Sequence, residues 1–255
     1  MNSYFSFNGT TSCDMGLEVE RIRPLYSPKK RIVTQQVPGR SGDLHIWDGS
    51  YENYPISYRC WFKKPEGYEN MAQRAHVILE WLNAAPMGAA LEDSYDPLVM
   101  HRASYIGGAE IENIRNRYGR FTITFDCDPR AFILAGDELP TSPGIPAVAT
   151  NTTPFPALPL IEVTPAAKAI SGALTFAGKS GTTTVNISFH GISMNKIYID
   201  CDLKEAWEIV DGVSVSRNAD VAVSQWPVIG PNSTTEVTVS GDIKEAIINP
   251  RWWTL

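Results

Sequence analysis

Nucleophilic catalysis needs a nucleophile, a base and a group that orients the base. The four histidines, His45, His76, His101 and His190, stand in no triad context, and no G-x-S-x-G elbow is present. His76 lies beside an apolar helical stripe with no second histidine at metal-binding spacing, so it reads as a surface or boundary residue. Asp200-Cys201-Asp202 offers three metal-ligating side chains. On a strand, Asp200 and Asp202 would point to one face and Cys201 to the other, so the three could not converge. Asp93-Ser94-Tyr95-Asp96 has the start of an acidic calcium loop but lacks the following glycine and the closing glutamate. Among 28 acidic residues, carboxylate pairs suited to glycan hydrolysis arise by chance, and nothing in the spacing selects one. There is also no phosphate-binding glycine loop. These residues predict no enzyme, no cofactor and no metal site.

Recognition chemistry is the remaining class. Trp47, Trp61, Trp81, Trp207, Trp226, Trp252 and Trp253 could line a sugar-binding face, because flat apolar rings stack on sugars. The favoured reading is that they fill the core or pack at subunit contacts. Trp207 and Trp226 are the candidates for sugar stacking if the C-terminal part is instead a carbohydrate-binding module. A formal charge of −6 argues against nucleic-acid binding, which needs a basic face, and Pro28-Lys29-Lys30-Arg31 is the only basic run. No apolar run is long enough to cross a bilayer, so no membrane insertion is expected. Met1-Asn2-Ser3-Tyr4-Phe5 has neither the basic nor the apolar region of a secretory signal, which predicts folding in a reducing cytoplasm. Cys13, Cys60, Cys127 and Cys201 are far apart, and the last three sit in alternating apolar patterns as reduced core thiols.

The elements that must position any site are mainly β. In Ile56–Phe62 the even positions are mostly apolar, and in Arg120–Cys127 the alternation is strict, placing Phe121, Ile123 and Phe125 on one buried face. Between them, Met71, Ala75, Ile78, Leu79 and Leu82 form one stripe, predicting a helix over about 69–84 that ends at Ala84-Ala85-Pro86. Prolines and glycines punctuate 136–156, which reads as a stiff linker. Beyond it, short strands are predicted at 160–164, 172–176, 183–189, 196–201, 206–210, 236–240 and 245–248, the pattern of a sandwich or jelly roll. The expected organisation is all-β with one amphipathic helix, in two β-sandwich domains of residues 1–135 and 157–255.

Four segments, in order, resemble the distal tail protein family of siphophages. Phe5–Ser12 leading to Gly16-Leu17 resembles its first strand and turn. Val37-Pro38-Gly39-Arg40-Ser41-Gly42 matches its V-P-G-R-x-G loop, followed by an aromatic-rich strand with Trp47 and Tyr51. Phe121–Pro129 looks like the strand closing its N-terminal domain, and 157–163 with Pro250–Leu255 resembles the borders of its C-terminal domain. The turn Ile229-Gly230-Pro231-Asn232 departs from the family's proline-glycine order.

The resemblance implies an N-terminal β-sandwich that forms a hexameric ring with copies of itself, and a galectin-like C-terminal β-sandwich outside the ring. It implies a place at the virion tail tip, assembled in the host cytoplasm. There the ring would join the tail tube protein to a tail-tip protein and carry receptor-binding apparatus. Val37, Pro38, Gly39, Arg40, Ser41 and Gly42 are then interface residues, with two glycines bracketing an exposed arginine at a contact loop. A galectin-like fold does not itself confer sugar binding.

Overall fold

The computed structural model describes residues 3–21, 24–64, 66, 70–134, 136, 138–179, 181–189 and 195–255. His190, Pro65, Gly67 and the expected helix start at 69 lie outside them. The chain divides into two compact units, Met1–Leu134 and a second from 135 to Thr254.

The first unit contains β1 (Phe5–Phe7), β2 (Thr10–Thr11), β3 (Glu18–Val19), β4 (Lys30–Gln35), β5 (Leu44–Tyr51), β6 (Tyr54–Lys63), α1 (Met71–Ala84), β7 (Ala89–Asp93), β8 (Val99–Tyr105), β9 (Glu112–Ile114) and β10 (Tyr118–Ile133). One antiparallel sheet runs β2-β1-β7-β8-β10-β6-β3, with β9 beside the start of β10. Its buried positions and those of α1 form one core. The register of its central pair follows from the alternation. Phe121 faces Cys60, Ile123 faces Tyr58 and Phe125 faces Ile56, and all six are at most 4% exposed. Each large apolar side chain buried this way contributes about 1.5–3 kcal/mol. Strand β10 runs beyond the expected end at Cys127. Its register against β8 shifts between Cys127 and Ala131, where Asp128-Pro129-Arg130 bulges and Arg130 N and Nε donate to Asp128 Oδ1.

Helix α1 starts where the side-chain oxygen of Asn70 accepts from Gln73 N at 3.1 Å. Met71, Ile78 and Leu82 are buried as the stripe requires, and His76 is exposed. Trp81 stacks on Phe5 at 5.9 Å, and Phe5 stacks in turn on Tyr58 at 4.6 Å. The helix ends before Ala85, whose extended backbone is what a following proline demands.

The second unit contains β11 (Leu139–Thr141), β12 (Ala147–Asn151), β13 (Leu160–Pro165), β14 (Ser171–Gly178), β15 (Gly181–Ser188), β16 (Ile197–Asp200), β17 (Glu205–Val210), β18 (Val213–Ser216), β19 (Val221–Val223), β20 (Ser233–Gly241) and β21 (Ile243–Asn249). Six strands in the order β11-β21-β13-β16-β17-β18 face five in the order β12-β20-β14-β15-β19. Their inner positions, among them Ile161, Leu174, Val185, Ile199, Val237 and Ile248, form one buried core. This is a two-sheet sandwich.

The stretch 136–156 is therefore not a linker. Leu139, Pro140 and Thr141 pair with Ile248, Ile247 and Ala246, and Ala147–Asn151 pairs with Val237–Ser233. Both strands lie at sheet edges, where a proline that cannot donate to a ladder is tolerated. The prolines after them are pinned as well. Asn151, 1% exposed, donates through Nδ2 to the carbonyls of Phe155 and Gly230 at 2.8 and 3.0 Å. Its Oδ1 accepts from Thr153 N and Oγ1, both at 2.9 Å. Trp253 stacks on Phe155 at 4.2 Å and donates to the carbonyl of Pro156. In the atypical turn, Asn232 takes the left-handed backbone (φ 45°) and its N–H donates to the Thr153 carbonyl.

All four cysteines are free thiols, with Cys13 exposed and Cys60, Cys127 and Cys201 buried. Burial pushes the Cys60 thiol up to about 12, with Glu20 adding to the rise, and burial also raises that of Cys201. A neutral-pH titration of the native protein with a chromogenic disulfide should label one thiol per chain quickly and the others only on unfolding. Loss of the fast phase in Cys13→Ser identifies it. Rapid labelling of a second thiol would contradict the packing described.

Candidate functional site

Strands β4 and β5 stand apart from the main sheet as a two-stranded ribbon. Gln35 pairs with Leu44, Thr34 with His45, Val33 with Ile46 and Ile32 with Trp47, and then the register shifts so that Lys30 meets Tyr51. The extra β5 residues form a kink at Asp48-Gly49-Ser50, where Gly49 has φ 93°. Asp48 Oδ1 accepts from Ser50 N and Oγ, both at 2.8 Å, and these bonds hold the carboxyl below its ordinary range. Trp47 Nε1 donates to the Ser50 carbonyl at 2.8 Å, its ring meets Tyr51 edge-on, and Lys30 Nζ lies 4.5 Å from the ring centroid. The kink is thus tied by local bonds.

Cross-strand partners share a face, so Ile32 and Trp47 lie on one side of the ribbon and Val33 and Ile46 on the other. All four are exposed, at 51%, 45%, 63% and 46%. An isolated hairpin is marginal in water, and apolar side chains on both of its faces need a cover. The sequence signal for this was the β-branched run in Lys30–Gln35 facing Ile46-Trp47, which a search for one-sided alternation passes over.

The loop that joins the strands holds every residue expected at the interface. Val37, Pro38, Gly39, Arg40, Ser41 and Gly42 are all exposed. Arg40 N donates to the Val37 carbonyl at 3.1 Å, closing a turn around Gly39. Gly39 and Gly42 have φ of 82° and 83°, a backbone that side chains disfavour.

The other sequence candidates fall elsewhere. Trp207 lies in β17 of the six-stranded sheet, stacked on Tyr198 at 5.7 Å, whereas Trp226 follows β19 of the five-stranded sheet. They do not form one stacking surface. Of the seven tryptophans none is fully buried; Trp81, Trp226 and Trp252 are partly buried against cores, and Trp47 is exposed. Core filling therefore describes them only in part. Asp200 and Cys201 are both buried, at 2% and 1%, because β16 ends at Asp200 and the chain turns, so the opposed faces of a continuing strand do not occur. Asp200 instead accepts from the N–H groups of Asp202 and Leu203 and pairs with both terminal nitrogens of Arg251, at 2.9 and 2.8 Å. Asp93 likewise has both oxygens engaged, by Tyr58 Oη at 2.6 Å and by the N–H groups of Tyr95 and Asp96. Among the described residues no three metal-ligating side chains cluster.

Residues 14–127, which span the ribbon and most of the first unit, match the phage tail protein RIFT-related domain family. Over the whole chain the fold is similar to the Dit protein of phage SPP1, described as a paradigm of the hub adsorption apparatus in phages infecting Gram-positive bacteria. The identity is 13% and the TM-score 0.64, covering 97% of this chain and 98% of that one. It is also similar to a chain of the phage P2 baseplate in its activated conformation with Ca, at 10% identity, TM-score 0.62 and 98% of both chains. No curated protein matches at the level of sequence.

Proposed function

We propose that this chain, which belongs with the distal tail proteins of siphophages, closes with copies of itself into a hexameric ring through its first unit, with the β4–β5 ribbon as the contact arm. It is a structural phage tail component, and its family and fold are those of structural tail proteins rather than enzymes. The observation that carries the ring reading is the ribbon itself: two strands outside the main sheet, apolar and exposed on both faces. A second copy is the cover favoured by similarity to a hub protein, since each copy in a ring both offers an arm and receives one.

The ring stands at the virion tail tip, with the tail tube protein on one side, the tail-tip protein on the other and receptor-binding apparatus outside. It assembles in the host cytoplasm before the tail is complete. Arg40, at the tip of the arm, contacts the neighbouring copy or the adjoining tail protein.

Arg40→Ala tests the arm without disturbing the core, because Arg40 is exposed and its turn is held by backbone. The thermal transition should move by no more than about 0.5 kcal/mol. Ring formation, followed by light scattering and negative-stain micrographs with and without the tail-tip partner, should shift to higher protein concentration. Unfolding of the first unit by this substitution would make Arg40 a folding residue and remove it from the interface. A protein that stays monomeric at high concentration with every neighbouring tail protein would end the ring reading.

A further inference from the structure

We propose that the second unit carries a saccharide-binding cleft at one end of its sandwich, lined by Trp226 and Thr235, that takes a neutral sugar ring. The hub reading and this one stand independently.

The cleft exists because two glycines meet. Gly178 at the end of β14 pairs with Gly181 across the turn into β15, and on its other side with Thr235 of β20. Ladder partners share a face, so these three positions continue the inner face that carries Phe176, Thr183 and Val237. A Cβ on Gly178 would stand 2.8 Å from Thr235 Oγ1, and one on Gly181 would meet nothing within 4 Å. The segment after β19 passes the opening and contributes Gln225, Trp226 and Val228. Together they enclose about 210 Å³.

The lining selects the ligand class. Thr235 is 3% exposed, yet its hydroxyl has no hydrogen-bond partner among the described residues. The hydroxyl faces the open cleft, so a ligand seated there can bond to it in place of water. Thr183 Oγ1, the Gln225 amide and the Trp226 indole N–H are also without partners among the described residues. Uncharged donors and acceptors beside an aromatic ring fit a molecule with one apolar face and a fringe of hydroxyls. Among the described residues no carboxylate lines the cleft, and Lys179 is the one charged residue there. That composition favours a neutral sugar over a cation or a nucleic acid.

The test uses the full chain labelled with 5-fluorotryptophan, with the Trp226 fluorine resonance assigned by its absence in Trp226→Phe. Glucose, galactose, N-acetylglucosamine and rhamnose are titrated in turn, with glycerol as the control polyol. At least one sugar should shift the Trp226 signal saturably at millimolar concentration while the Trp207 signal stays. Thr235→Val, of equal size, should weaken that binding about tenfold, the loss of one hydrogen bond to the ligand, without lowering the melting temperature. Gln225→Ala, at an exposed position, should weaken it as well. The proposal is overturned if no sugar moves the Trp226 signal, if glycerol moves it equally, or if both variants bind as tightly as the parent.

Discussion

Val33→Asp is expected to leave a folded, soluble chain that no longer assembles. Val33 is 63% exposed and faces Ile46 across a ribbon that contributes nothing to the buried core of the first unit. The folding cost is confined to the ribbon and is about 1 kcal/mol at most, the span of strand propensities. At an interface the same carboxylate would be removed from water without a partner, which costs several kcal/mol at every copy of the contact. Light scattering should therefore report monomers where the parent forms rings, with the melting temperature lowered by no more than about 4 °C. Ile32→Asp places the charge on the opposite face, beside Trp47. If one variant assembles and the other does not, the defective one marks the face covered by the neighbour. Normal assembly by both would show that the ribbon is not the arm.

The second large effect concerns stability and belongs to the other unit. Asp200→Ala should lower stability by about 3–5 kcal/mol, because it leaves the Arg251 guanidinium without its partner and removes the acceptor of two backbone N–H groups. For a unit of this size the melting temperature should fall by more than about 10 °C. The core of the first unit is separate, so its calorimetric transition should stay in place.

The same pair sets a pH dependence. Burial acts to raise the Asp200 carboxyl, and the Arg251 guanidinium with the N–H groups of Leu203 and Asp202 overcomes it, so the group sits below its ordinary value of about 3.8. A carboxyl whose folded pKa is depressed contributes fully above its unfolded pKa and loses that contribution as pH falls through the folded one. Denaturant melts should show the second unit losing stability below pH of about 4, with the slope reduced in Asp200→Asn. An equal slope in that variant would assign the acid sensitivity to other carboxylates.

Much of the fold was legible because each legible element has two unlike faces. In β6 and β10 the alternation set the register, and in α1 the stripe of Met71, Ile78 and Leu82 set the buried side. Strands β11 and β12 were hidden by their own edge position, since the prolines that an edge accepts read as breakers in a one-dimensional pattern. The ribbon was hidden for the opposite reason: with apolar residues on both faces, β4 and β5 lack the alternation that marks a half-buried strand. Val37–Gly42 was singled out by resemblance, and only the fold shows it as the tip of that ribbon. The cleft proposed to take a sugar has no local spacing to find. Gly178, Thr183, Trp226 and Thr235 are ordinary residues drawn from separate segments, and the ladder alone brings them together.

The edge strands at the start of the second unit also bear on how the chain is made. Leu139–Thr141 finds its partner in Ile243–Asn249, and Ala147–Asn151 finds its partner in Ser233–Gly241. The path β2-β1-β7-β8-β10-β6-β3 draws on strands that end at Ile133, so it can form during synthesis while these early segments still wait. Throughout that interval they are unpaired strands, the usual starting point for pairing with the wrong chain. Pro140 within β11, with Pro143 and Pro146 between the two strands, makes such a segment a poor template, because none of the three offers a backbone donor. Prolines that read as a spacer thus also make the waiting edge a poor partner until its own strand is made.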